Sequence, residues 1–212
     1  MPVRILIADD HEIVREGVCS LLEANPAWEV CGEAADGREA VAQAERLQPD
    51  IVIMDIDMPG LNGLDATRQI KRKLPGTEVL IFTGTESEET VREVFKVGAR
   101  SYLLKTEANK HLRPAIEALC AHRTYFSNKV SEMVFAGYLK GDGRVADRSL
   151  TPRERELVQL VAEGKSNKNV AQILGISVKT VESHRAAVMK KLNLDSVADL
   201  VRYAIRNRIV KA

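Results

Sequence analysis

Over residues 3–122 the chain alternates short apolar runs with amphipathic stretches five times, at a spacing of about 25 residues. The runs Val3–Ala8, Trp28–Cys31, Ile51–Met54, Glu78–Phe82 and Tyr102–Leu104 read as buried strands. Between them, Val14, Val18, Leu21 and Leu22 recur at helical spacing, as do Ala40, Val41, Ala44 and Leu47. Further helices follow from about Gly63, across 86–97 and across 110–122. Parallel strands need a long crossover between them, and a helix is the usual one. Strict alternation therefore predicts an α/β fold: a five-stranded, doubly wound parallel sheet with helices on both faces.

Charge separates this part from the rest. Residues 1–122 carry 14 basic and 21 acidic side chains, whereas residues 123–212 carry 17 and 9, so a formal net charge of +1 hides an acidic and a basic module. A basic module of this kind points toward nucleic acid. The longest apolar runs are four residues, far below the roughly 20 that a membrane helix needs, so no membrane contact is expected. The N-terminus turns acidic too early for a signal peptide. Cys19, Cys31 and Cys120 are odd in number and widely spaced, which supports neither a disulfide framework nor a zinc site. They lie among apolar positions and are expected in the core, in a reduced, cytoplasmic protein.

In open parallel sheets, sites form at the C-terminal ends of the strands. Asp9 and Asp10 end the first strand, Asp55 the third, Thr83 the fourth and Lys105 the fifth. Taken singly, each has an ordinary explanation: Asp9 and Asp10 as helix caps, Lys105 as a surface charge. Together they converge on one edge. Three adjacent carboxylates must protonate or bind a cation, and an all-oxygen set suits Mg²⁺ better than zinc. With a lysine and a hydroxyl beside them, they compose a phosphoryl-transfer site in which one aspartate attacks.

ADDH at 8–11, IMDIDMPGLNG at 53–63, FTG at 82–84 and SYLLK at 101–105 resemble the receiver domain of two-component response regulators. The resemblance implies a flavodoxin-like fold in which Asp55 is the phosphoacceptor for a sensor histidine kinase. Mg²⁺ would be held by Asp9, Asp10, Asp55 and the main-chain carbonyl of Asp57. Thr83 and Lys105 would bind phosphoryl oxygens, and Tyr102 would be the aromatic switch. Thr106 stands where many receivers have proline after the lysine, so no cis bond is expected. The aspartate pair at 55 and 57 also resembles that of haloacid-dehalogenase-type phosphatases, a rival enzymatic reading. That family places its nucleophile on the first strand and follows the second aspartate with Thr or Val, whereas Met58-Pro59 follows here. A regulator, not an enzyme, is the expectation.

Residues 123–148 read as a linker, with a helical stretch at 130–139 and an exposed GDGR at 141–144. From Thr151-Pro152-Arg153-Glu154, a strong helix start, four helices follow, punctuated by Gly164, Gly175 and the caps Ser166, Ser177 and Ser196. Two of them flank a glycine turn, and the second is surrounded by Lys179, Arg185, Lys190 and Lys191, a helix-turn-helix with basic flanks. Residues 149–212 resemble the LuxR-type helix-turn-helix, and the chain as a whole resembles NarL/FixJ-class response regulators. The resemblance implies that the third helix of this module enters the major groove of double-stranded promoter DNA. Glu182, Ser183, Arg185 and Ala186 would then face bases, with Thr180 among the DNA-binding residues, and Lys168, Lys179, Lys190 and Lys191 would serve phosphates. His184 is assigned packing or phosphate contact, and His11, His111 and His122 no chemistry. Asn169 replaces the glutamate that would complete a capping box with Ser166, so a weaker helix start is expected. A homodimer after phosphorylation is the economical way to read two half-sites. The resulting division is a receiver at 1–122, a linker at 123–148 and a DNA-binding domain at 149–212.

Overall fold

Strands β1 (Val3–Ala8), β2 (Trp28–Ala34), β3 (Ile51–Met54), β4 (Glu78–Thr83) and β5 (Ser101–Leu104) form a parallel sheet in the computed structural model. The structure describes residues 1–139, 150–207 and 209–210, in two units, Met1–Asp142 and Gly143–Ala212. Alternation along each strand sends its side chains to opposite faces of the sheet. Leu6, Ala8, Val52, Met54, Val79, Ile81, Tyr102 and Leu104 join one buried cluster with α2 (Gly37–Leu47), α3 (Gly63–Lys73) and α4 (Glu88–Lys96). Ile5, Ile7, Ile51, Ile53, Leu80, Phe82 and Leu103 join the other with α1 (Glu12–Glu23) and α5 (Ala108–Cys120). Because β3 to β5 are covered on both faces, they do not alternate with polar residues: β3 is apolar throughout, and the polar Glu78, Thr83 and Ser101 stand only at the ends of β4 and the start of β5.

Among the described residues the sheet has six strands, not five. Its order is β2-β1-β3-β4-β5-β6, the sixth being the two-residue β6 (Tyr125–Phe126), parallel to β5. Helix α6 (Asn128–Leu139) follows. Its Val130 is fully buried in the cluster containing Val91, Val94 and Tyr102, and Phe126 meets Phe95 edge to face at 5.3 Å. The start of the segment expected to be a linker is thus part of the first unit's packing. The GDGR stretch and the rest of that segment, residues 140–149, lie outside the described residues. Cysteine burial also differs from expectation: Cys19 and Cys31 are half-buried and Cys120 is exposed.

The second unit is helical: α7 (Pro152–Ala162), α8 (Asn167–Leu174), α9 (Val178–Leu192) and α10 (Val197–Arg206). Local chemistry sets every start. Thr151 and Glu154 form a reciprocal capping box with proline in the first turn, and Ser196 and Asp199 form another. Ser166 accepts from the Asn169 amide but receives no reciprocal bond, as the asparagine there predicts. Gly164 and Gly175 both carry positive φ, 77° and 66°, at the ends of α7 and α8. Leu157, Leu160, Val170, Leu174, Val181, Val188, Leu192 and Leu200 close one core.

Candidate functional site

Asp9 and Asp55 are carried to the same sheet edge because β1 and β3 are neighbours and both end there. The Asp55 amide continues the ladder by donating to the Ala8 carbonyl at 2.8 Å. Both side chains are almost wholly buried. The Lys105 ammonium, delivered just after β5, lies 2.6 Å from Asp9 Oδ2 and 2.9 Å from Asp55 Oδ2. Asp55 Oδ1 accepts from the Ile56 amide at 2.8 Å. Burial pushes the Asp55 carboxyl above the ordinary aspartate range, against the pull of Lys105, and the nearby Asp9 pushes the same way. Burial alone would lower the Lys105 ammonium, but its two carboxylate partners outweigh it and hold it above the usual lysine range.

Asp10 is exposed and lies at the mouth of this group. His11, assigned no chemistry from sequence, is drawn in as well: its Nδ1 is 2.7 Å from Asp10 Oδ1 and 3.3 Å from Asp9 Oδ1. Ligand atoms of Asp9, Asp10, His11 and Asp55 all lie within 4.8 Å of one another. Three carboxylates against one ammonium leave two uncompensated negative charges when all are ionised, the charge a divalent cation neutralises. The oxygen-rich donor set fits Mg²⁺. The signal for His11 was its position, one residue beyond the acidic pair at the strand end.

Thr83 is fully buried at the end of β4, and its hydroxyl accepts from the Thr85 amide at 3.2 Å. Thr85 in turn donates to Asp57 Oδ2 at 3.0 Å, while the buried Tyr102 donates its hydroxyl to the Thr85 carbonyl. One loop residue therefore ties together the segments that follow β3 and β4 and the ring on β5. Sequence reasoning places Asp57 and Thr85 near the phosphoryl group; the hydrogen bond that joins them is visible only in the structure. The β3–α3 connection is held tightly against Asp55 by Gly63, whose amide donates to the Ile56 carbonyl at 2.9 Å. A Cβ at Gly63 would sit 1.7 Å from the Asp55 carbonyl oxygen and 3.0 Å from the Ile56 Cα. Both obstacles are backbone, so no rotamer relieves them. Gly63→Ala is expected to destabilise the first unit by about 2–3 kcal/mol, read as a lower urea midpoint with an unchanged slope.

In the second unit, Glu182, Ser183, His184 and Ala186 are exposed on α9, with Lys179 at its start and Lys190 and Lys191 at its end. Ser177, Lys179, Thr180, Ser183, His184 and Ala187 line a shallow depression along it. Lys168 is exposed on α8. Arg185 differs from its neighbours. It falls on the helix face of the buried Val181, Val188 and Leu192, is half-buried, and donates from Nη1 to Asn167 Oδ1 at 3.3 Å. Lys191 is engaged by Glu154 of α7 at 2.7 Å, which contributes to holding the Glu154 carboxyl below its usual range despite partial burial.

Comparison with known proteins matches these two units to two families. The response regulator receiver domain matches residues 5–117, and the luxR family of bacterial regulatory proteins matches residues 148–204. The transcriptional regulatory protein LiaR of Bacillus subtilis (strain 168) is 39% identical over 209 residues, covering 98% of this chain and 99% of LiaR. The oxygen regulatory protein NreC of Staphylococcus carnosus (strain TM300) is 38% identical over 215 residues, covering 98% and 99%. Among solved structures, RcsB from Salmonella enterica serovar Typhimurium, bound to a promoter in the presence of the phosphomimetic BeF3−, aligns with a TM-score of 0.62. That alignment has 27% identity and covers 96% of this chain and 98% of RcsB.

Proposed function

Because this chain belongs to the two-component response regulators that join a receiver domain to a LuxR-type DNA-binding domain, we propose that a phosphoryl group on Asp55 controls its binding to DNA. The chain is a DNA-binding transcriptional regulator. The observation that carries the finer reading is the buried pair Asp9 and Asp55 sharing one ammonium, with Asp10 and two uncompensated charges beside it. In this reading an Asp55 carboxylate oxygen attacks the phosphorus of a kinase phosphohistidine, forming the P–O bond as the P–N bond breaks. Carboxylates of Asp9, Asp10 and Asp55, with the Asp57 carbonyl, would hold Mg²⁺, which when bound neutralises charge on the transferring oxygens. Lys105 then exchanges its carboxylate contacts for phosphoryl oxygens, and Thr83 turns its hydroxyl to them. The Thr85 loop, bonded to Thr83, Asp57 and Tyr102, is the part that such a rearrangement moves.

The energy is of the size required, without a wide margin. Two charge-assisted contacts supply roughly 3–6 kcal/mol, and inverting a two-state equilibrium from 1:99 to 99:1 needs about 5.5 kcal/mol. In the DNA-binding part, assigned to residues 149–212, α9 supplies the exposed Glu182, Ser183 and Ala186 to base edges, with Thr180 and Arg185 at the margin of that surface. Lys168, Lys179, Lys190, Lys191 and His184 serve phosphates. The receiver is assigned to residues 1–122, with β6 and α6 packed onto it. A homodimer on two half-sites about ten base pairs apart gives so small a module enough contact. A cytoplasmic location fits a chain in which no helix of the described residues is long and apolar enough to cross a membrane.

Incubation with acetyl phosphate tests this. One phosphoryl group per chain is expected by intact mass, only with Mg²⁺ present, together with tighter binding to DNA selected by the protein from random duplexes. Continuous turnover of a phosphate ester would instead mark a phosphatase, and DNA affinity indifferent to labelling would mark a constitutive binder.

A further inference from the structure

On α9, Glu182 and Arg185 stand three residues apart, the spacing at which opposite charges on a helix pair with one another. A direct ion pair would neutralise both and fold them down along the helix. No such pair forms among the described residues; Asn167, the first residue of α8, stands between them instead. Its Nδ2 donates to Glu182 Oε1 at 3.4 Å and its Oδ1 accepts from Arg185 Nη1 at 3.3 Å. An amide has one donating and one accepting end, and this orientation is the one that matches a carboxylate on one side and a guanidinium on the other.

We propose that Asn167 is a positioning residue for DNA readout: its amide, bridging Glu182 and Arg185 from α8, keeps the two charges apart and fixes the direction of each side chain. The proposal rests on the placement of α9 in the major groove. There Glu182 accepts a hydrogen bond from cytosine and Arg185 donates to guanine. Both contacts need a fixed side-chain direction, and a longer i,i+3 ion pair would abolish that. The contribution of Asn167 therefore falls on specificity, and not on the charge attraction that DNA of any sequence supplies.

The experiment uses the full chain treated with acetyl phosphate and Mg²⁺. A duplex is first selected from a random pool by the wild-type protein. Affinities are then measured at fixed salt for that duplex, its single-base variants and an unrelated duplex. Asn167→Ala is expected to lose about five- to twentyfold on the selected duplex, to flatten base preference at the positions read by Glu182 and Arg185, and to bind unrelated DNA within about twofold of wild type. Asn167→Asp still accepts from Arg185 but repels Glu182, so preference is expected to fade at the Glu182 position alone. In a chain already carrying Glu182→Ala and Arg185→Ala, removing Asn167 should cost nothing more. Equal loss on all DNA, an unchanged base preference, or full additivity in the triple variant overturns the proposal while leaving the DNA-binding function intact. Failure of the wild-type chain to select any sequence overturns the underlying placement of α9.

Discussion

Asp55→Asn is expected to bring phosphoryl incorporation from acetyl phosphate down to background, with the fold preserved. The amide has nearly the shape of the carboxylate, and its oxygen still accepts from the Ile56 amide that now reaches Asp55 Oδ1 at 2.8 Å. Lys105 retains Asp9 at 2.6 Å. What is lost is the proposed nucleophile, because an amide oxygen neither carries the charge nor forms a stable phosphoryl adduct. Intact mass after acetyl phosphate treatment reads the result, and circular dichroism confirms folding. Wild-type labelling of this variant would take Asp55 out of its assigned role.

Lys105→Met should damage both stability and signalling, and its stability effect carries a pH signature. The ammonium is the charged partner of both buried carboxylates, and removing it leaves Asp9 and Asp55 facing one another without compensation. Breaking a buried pair in this way costs about 3–5 kcal/mol; partial exposure of Lys105, 20% of its side chain, places the expectation near 3 kcal/mol at pH 7. The Asp55 carboxyl is already raised by burial, and loss of Lys105 raises it further. A carboxyl whose folded pKa lies above its unfolded value costs stability as pH rises through the unfolded value toward the folded one. The variant's deficit should accordingly be small near pH 3, where Asp55 is largely protonated in both states, and full near pH 7. Urea midpoints at the two pH values measure it. A deficit independent of pH would mean that methionine disturbs packing and that the charge pairing is not the cause.

Most of the architecture is legible in the amino-acid order because burial on both faces leaves long-range consequences in short runs. Ile51–Met54 is apolar at every position, and only a strand covered by helices on two sides needs that. The acidic pair after β1, Asp55 after β3 and Lys105 after β5 are likewise legible as a group, since topology alone brings strand ends together. The sixth strand is not: Tyr125 and Phe126 are two residues, too few to show any period, and their pairing depends on a register with Ser101 and Tyr102 fixed only in three dimensions. The contacts of His11 and Thr85 escape for a related reason. Their contacts run through Nδ1 and a loop carbonyl, which no spacing encodes. For the half-burial of Arg185 a signal was present: its spacing from Val181 and Val188 sets it beside the buried stripe of α9. Cys120 is similar, one step off the stripe formed by Leu112, Ala115, Ile116 and Leu119.

The brevity of β6 has a colloidal consequence. Without Tyr125 and Phe126, β5 would present four consecutive residues of unpaired backbone on its outer side, an open template for a foreign strand. β6 covers the first half of that template, at Ser101 and Tyr102, is itself too short to offer a new one, and gives way at once to α6. The exit from the first unit thus doubles as insulation against strand exchange between neighbouring molecules at high concentration.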